Sequence, residues 1–136
     1  GPGDPDTFYI PAGTVMTPGS YLILAEDAAA FASYLPWNTA TPVVFGDFSF
    51  GLGGNDSVIL VDDADGLYDQ VDYNDDNEPW IGADRTGRSA ELIDSEADNN
   101  VSTNWSTSAS GNVEGTPGRR NAATPAPDIG NTWVLF

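Results

Sequence analysis

Residues 57–73 read Ser57-Val58-Ile59-Leu60-Val61-Asp62-Asp63-Ala64-Asp65-Gly66-Leu67-Tyr68-Asp69-Gln70-Val71-Asp72-Tyr73, and their pattern decides the fold class. Four consecutive apolar residues, three of them β-branched, lead into an acidic turn ending on Asp65-Gly66, a dipeptide suited to tight hairpins because both positions tolerate positive φ. Beyond the turn the residues alternate. Strand periodicity puts Leu67, Asp69, Val71 and Tyr73 on one face and Tyr68, Gln70 and Asp72 on the other. The stretch therefore predicts a β-hairpin.

Outward from this hairpin the same pattern recurs. Upstream, Phe8-Tyr9-Ile10 and Tyr21-Leu22-Ile23-Leu24-Ala25 flank the turn dipeptide Pro18-Gly19, which predicts a second hairpin. Val43-Val44-Phe45 and Phe48-Ser49-Phe50 are further strand candidates, as are Ser89-Ala90-Glu91-Leu92-Ile93 and the segment from Val101 to Trp105 downstream. Glu26-Asp27 followed by Ala28-Ala29-Ala30-Phe31-Ala32-Ser33-Tyr34 is the one helical stretch, with acids at its positive N-terminal end. Seven or so short strands separated by turn residues predict an all-β chain, an antiparallel β-sandwich.

Composition narrows the chemistry. The 136 residues amount to one domain, and 40% hydrophobic residues predict one real core. Twenty-one acids against four basic residues give a net charge of −17. Such a surface repels phosphate backbones and anionic lipid headgroups, so no nucleic-acid partner is expected. No apolar run approaches the ~18–20 residues of a membrane span, so no membrane insertion is expected. The chain has no histidine, cysteine or lysine. Serine–histidine and cysteine–histidine nucleophile pairs, Schiff-base lysines and thiolate zinc sites are thereby excluded, which leaves carboxylate chemistry and oxygen-ligand cation binding. Zero cysteine fits a secreted chain, and without signal-peptide features at its start the sequence would be a mature form or an excised piece.

In order along the chain, several segments make a specific set: Ile10-Pro11-Ala12-Gly13-Thr14, Pro18-Gly19-Ser20-Tyr21-Leu22-Ile23-Leu24-Ala25-Glu26-Asp27, residues 48–60, and Asp69-Gln70-Val71-Asp72-Tyr73. Pro79-Trp80, Arg88-Ser89-Ala90-Glu91-Leu92, Asp98-Asn99, Asn104-Trp105 and Gly115-Thr116-Pro117-Gly118 continue it to Asn121. With these residues the chain resembles the lamin tail domain family, immunoglobulin-like β-sandwiches of nuclear lamins and of many prokaryotic surface proteins. The resemblance implies an immunoglobulin-like sandwich over residues 1–121. The family's opening strands have no counterpart ahead of Phe8, so the expected sandwich lacks its N-terminal strand or strands. Ile81 and Arg85 stand where the family usually has proline and glycine. Trp80 and Trp105 suit the capping of one end of the core, each indole N–H needing an acceptor. Asp98-Asn99 suits side-chain-to-backbone bonds that fix the loop before the last strand.

Three features are candidate sites. Asp62, Asp63 and Asp65 before Gly66 resemble part of a calcium loop, but the spacing departs from the EF-hand pattern and a plain turn is the simpler reading. Asn74-Asp75-Asp76-Asn77-Glu78 gathers five oxygen-bearing side chains, so Asp75, Asp76 and Glu78 are metal candidates, with a solvated acidic loop as the alternative. Calcium is the one ligand that loop admits, and no other cofactor is expected. Residues 122–136 form a Pro-containing linker and an apolar C-terminal strand, Trp133-Val134-Leu135-Phe136, the partner-binding candidate. Asn55, Asn100 and Asn104 head N-x-Ser sequons.

The expectation is a non-enzymatic extracellular structural or interaction module, secreted or at the cell surface. Its partner is a protein, other copies of itself, joined by strand donation into a filament or surface assembly. The alternative is an accessory binding or adhesion domain of a larger secreted protein.

Overall fold

The computed structural model describes residues 5–34, 43–108 and 115–125; the expected strand Trp133-Val134-Leu135-Phe136 lies outside them. In chain order the elements are β1 (Leu22–Leu24), α1 (Ala28–Tyr34), β2 (Val43–Phe45), β3 (Asn55–Val61), β4 (Leu67–Asn74), β5 (Ala90–Leu92) and β6 (Trp105–Thr107). Two 3₁₀ turns, Trp80–Gly82 and Ser102–Asn104, punctuate the second half. The strands pair as three two-stranded sheets, β1–β2, β3–β4 and β5–β6. Few helices and small sheets agree with the all-β class.

Several strand expectations resolve differently. β1 and β2 run parallel, Leu22 opposite Val43 and Leu24 opposite Phe45, where an antiparallel arrangement was expected throughout. Parallel strands need a long crossover, and α1 lies in this one. Asp27 caps the helix, its Oδ1 accepting the Ala30 N–H at 2.8 Å, while Asp47 Oδ1 takes the Ala28 N–H at 2.9 Å. The Pro18-Gly19 turn forms, with Ser20 N–H donating to Thr17 O and Gly19 at φ 77°. It leads out of no strand at Phe8-Tyr9-Ile10. Phe8 instead meets Phe48 edge-on at 6.5 Å, and Phe48 stacks on Phe50 at 4.7 Å, so these apolar runs join as aromatic rings rather than as strands. In the segment 101–105, Ser102–Asn104 wind as 3₁₀ and the strand starts only at Trp105.

The second half is pinned around β5. Glu91 is 2% exposed, and its carboxylate accepts bonds from Ser89 Oγ (3.2 Å), Thr116 Oγ1 (2.9 Å) and the Ala123 N–H (3.1 Å). A charge so enclosed survives only when its oxygens are satisfied this way. Leu92 O accepts from Asn121 Nδ2 and Thr124 Oγ1, so contacts with β5 run on past Asn121. Arg88 Nε and Arg120 Nη2 donate to backbone carbonyls, of Ser108 and Thr124. The expected core is thin: among the described residues Ala25 is the one buried apolar residue. Sheets of two strands have too little area to cover one another's faces.

Candidate functional site

β3 and β4 form the predicted hairpin. Asn55 stands opposite Asn74, Val58 opposite Val71 and Leu60 opposite Asp69, with a bulge before Val61 pairs with Leu67. The turn closes with Asp62 N–H to Gly66 O at 2.9 Å and Asp65 at φ 59°. Cross-strand partners share a face. Val58 and Leu60 thus lie with Val71 and Asp69 on one face, Ile59 and Val61 with Gln70 and Leu67 on the other. The bulge moves Leu67 off the face that simple alternation from Tyr73 gives it, because the extra residue resets the period.

Among the described residues nothing covers either face. Val58, Ile59, Leu60 and Val61 are 51%, 54%, 45% and 44% exposed, and Leu67 and Tyr68 are 66% and 79% exposed. The hairpin thus exposes apolar side chains on both of its faces, Val58 and Leu60 on one and Ile59, Val61 and Leu67 on the other. One end of the pair is polar. Asp72 Oδ1 accepts from Ser57 Oγ and from Gln70 Nε2 (2.7 Å), and Asp72 Oδ2 accepts from Asn100 Nδ2 (3.1 Å). These bonds, that from Ser57 foremost, hold the Asp72 carboxyl below its ordinary pKa. Asp56 is lowered too, by the backbone N–H groups of Gly53 and Ser57.

Next to that end lies a cleft of about 360 Å³, lined by Asn55, Asp72, Tyr73, Asn77, Glu78 and Trp80 among others. Trp80 packs against Trp105 at 4.9 Å and against Tyr73 at 6.2 Å, and the Trp105 indole N–H donates to Asn99 O at 2.6 Å. The expected indole acceptor is found for Trp105, and Asp98 Oδ1 fixes its loop by accepting the Asn100 N–H. Burial, with Asp56 and Asp75 nearby, raises the Tyr73 phenol above its ordinary pKa.

Among the described residues no three Asp or Glu carboxylates, those of Asp75, Asp76 and Glu78 included, are placed to hold a metal ion. The turn after β4 is organised by Asn74, whose Oδ1 accepts the Asp76 N–H and whose carbonyl accepts the Asn77 N–H. Asp62 spends Oδ1 on the N–H groups of Ala64 and Gly66, as a hairpin turn requires. Of the sequon asparagines, Asn100 and Asn104 have their amide nitrogens engaged, Asn104 with Asp94 O and Asp98 O. Sequence reasoning missed the link between Asn100 and Asp72. The two lie 28 positions apart, and no local pattern signals their contact.

No family model, no curated protein and no solved structure matches the chain, so its likeness to lamin tail domains rests on the quoted residues alone.

Proposed function

We propose that this chain is a non-enzymatic structural and interaction module, an immunoglobulin-like sandwich of lamin-tail type, secreted or held at the cell surface. It self-associates by strand donation: the apolar segment Trp133-Val134-Leu135-Phe136 of one copy adds to a sheet edge of the next. The single observation that carries this reading is the β3–β4 hairpin, two strands with exposed apolar side chains on both faces. Exposed pairs of this kind are seldom stable alone and are completed by further strands.

The partner of choice is another copy. A chain of net charge −17 repels its like unless uncharged segments meet, and residues 129–136 carry no charged side chain. A head-to-tail contact of this type does not close on itself, so it propagates into a filament. The non-enzymatic reading is supported by a sequence without histidine, cysteine or lysine and by carboxylates committed to structural bonds, Glu91 and Asp72 above all.

Light scattering and negative-stain imaging of the full chain and of a variant lacking residues 131–136 test the reading. The full chain is expected to grow into polymers with rising concentration and the shortened one to stay monomeric. A full chain that is monomeric at every concentration, or a shortened chain that assembles equally, overturns it.

A further inference from the structure

The hairpin has two outer edges, and they are not equivalent. The bond from Asp75 N–H to Gly54 O fixes the alternation of the ladder, so the backbone groups of Asn55, Ser57, Ile59 and Val61 on β3, and of Leu67, Gln70, Asp72 and Asn74 on β4, point away from the partner strand. On β4 the two central outward N–H groups are taken: Gln70 N–H by Asp69 Oδ1 at 2.9 Å, and Asp72 N–H by Asn100 Oδ1 at 2.7 Å. On β3 only Ser57 N–H is taken, by Asp56 Oδ1 at 2.8 Å. Among the described residues nothing receives the outward N–H groups of Ile59 and Val61.

Resting on the strand-donation reading, we propose that the β3 edge at Val58-Ile59-Leu60-Val61 is the acceptor, and that its occupant is Trp133-Val134-Leu135-Phe136 of a second copy. The two segments match in three respects. Each has four consecutive apolar residues, so a strand added beside β3 sets two of its side chains against Val58 and Leu60 and the other two against Ile59 and Val61. Neither segment bears a charged side chain, whereas β4 presents Asp69 and Asp72. The spacing from Pro125, the last described residue, to Trp133 spans about 25 Å if extended, enough to leave the donor's own sheets.

The chain lacks cysteine, so introduced thiols report without background. Val58 and Val71 are cross-strand partners in one row, Val58 on the strand next to the β3 edge and Val71 on the strand next to the β4 edge. A strand beside β3 runs about 4.8 Å from Val58 and roughly twice that from Val71, which only the first distance allows a disulfide to bridge. Full-length donors carrying Val134→Cys or Leu135→Cys are mixed with full-length acceptors carrying Val58→Cys or Val71→Cys, mildly oxidised, and the mixed disulfide is quantified by mass spectrometry. At least tenfold more product is expected with Val58→Cys. Equal or greater yield with Val71→Cys overturns the edge assignment while strand donation stands. No product with either acceptor, in a chain whose assembly still needs residues 131–136, places the tail elsewhere and also overturns it. Assembly that does not need those residues removes strand donation itself. As a second arm, Ile59→Pro deletes one outward N–H and no ladder bond, a change that edge strands tolerate. It is expected to abolish polymers and keep the monomer's circular dichroism; undiminished polymers overturn the proposal.

Discussion

The Asn100 side chain holds Asp72 from two directions, its Oδ1 accepting the Asp72 N–H at 2.7 Å and its Nδ2 donating to the Asp72 carboxylate at 3.1 Å. One amide thereby closes the outer edge of β4 at its centre, occupying the backbone donor that another strand would need. The loop that carries Asn100 is itself fixed, by Asp98 on the Asn100 N–H and by Asn99 Nδ2 on Asp69 Oδ2 at 2.8 Å. Natural sheets guard their edges with devices of this sort, and here one edge is guarded and the other is not.

Amide exchange makes that asymmetry measurable. In a chain shortened to prevent assembly, the Val58 and Leu60 amides point into the ladder and should exchange slowly, whereas those of Ile59 and Val61 should exchange fast. Asn100→Ala should speed exchange at Asp72 by tenfold or more and leave Val58 unchanged. Equal protection of Ile59 and Val58 in the monomer would contradict the ladder geometry.

Acid should loosen the hairpin before the rest of the chain. Asp72 and Asp56 have folded pKa values below the usual 3.8, through bonds from Ser57, Gln70 and Asn100 in the first case and from Gly53 and Ser57 in the second. Their contribution is therefore complete above pH 3.8 and is lost as pH falls through the lowered values. Asp72→Asn should be less stable at neutral pH, with a shallower decline below pH 4, when thermal midpoints are followed across that range.

The sequence made local features legible and left non-local ones hidden. Asp65-Gly66 announces its hairpin and Asp27 its helix, because turn and cap chemistry acts within a few residues. The apolar runs at Phe8 and Phe48 look like strands, yet whether a run pairs depends on distant residues, and here the rings pack on one another instead. The same holds for the parallel β1–β2 pair and for Asn100 on Asp72. The bulge that turns Leu67 to the other face leaves no mark in an alternating pattern.

Alkali should act at Tyr73. Its hydroxyl donates to Gly53 O at 2.6 Å, and burial beside Asp56 and Asp75 raises its pKa above 10.0. A group held protonated stabilises the fold below pH 10 and loses that contribution as pH rises through the raised value. Spectrophotometric titration of the five tyrosines should show one late phenol that vanishes in Tyr73→Phe, a variant whose stability falls less between neutral and high pH.

The buried carboxylate of Glu91 should matter more than any surface acid. Glu91→Ala takes the acceptor from Ser89 and the Ala123 N–H and leaves Thr116 Oγ1 only Asn121 Oδ1, at a cost of about 2–4 kcal/mol. Glu91→Gln keeps one carbonyl acceptor and should recover part of that loss. Denaturant unfolding of the three chains checks the order, and a Glu91→Ala variant as stable as the parent would show that the clasp around β5 holds nothing.

Salt separates screening from binding. Seventeen net negative charges on a small chain repel one another over distances that 0.1 M salt screens to about 10 Å, so sodium chloride should raise the melting temperature and promote assembly. Divalent cations should do so at lower concentration. Calcium and magnesium at equal concentration screen alike, but only calcium suits a flexible oxygen site of six to eight ligands. Because no three carboxylates among the described residues are grouped to hold a metal ion, the two ions should give equal shifts, to within about a degree. A larger shift with calcium that Asp75→Asn or Glu78→Gln removes would establish a calcium site in the turn after β4.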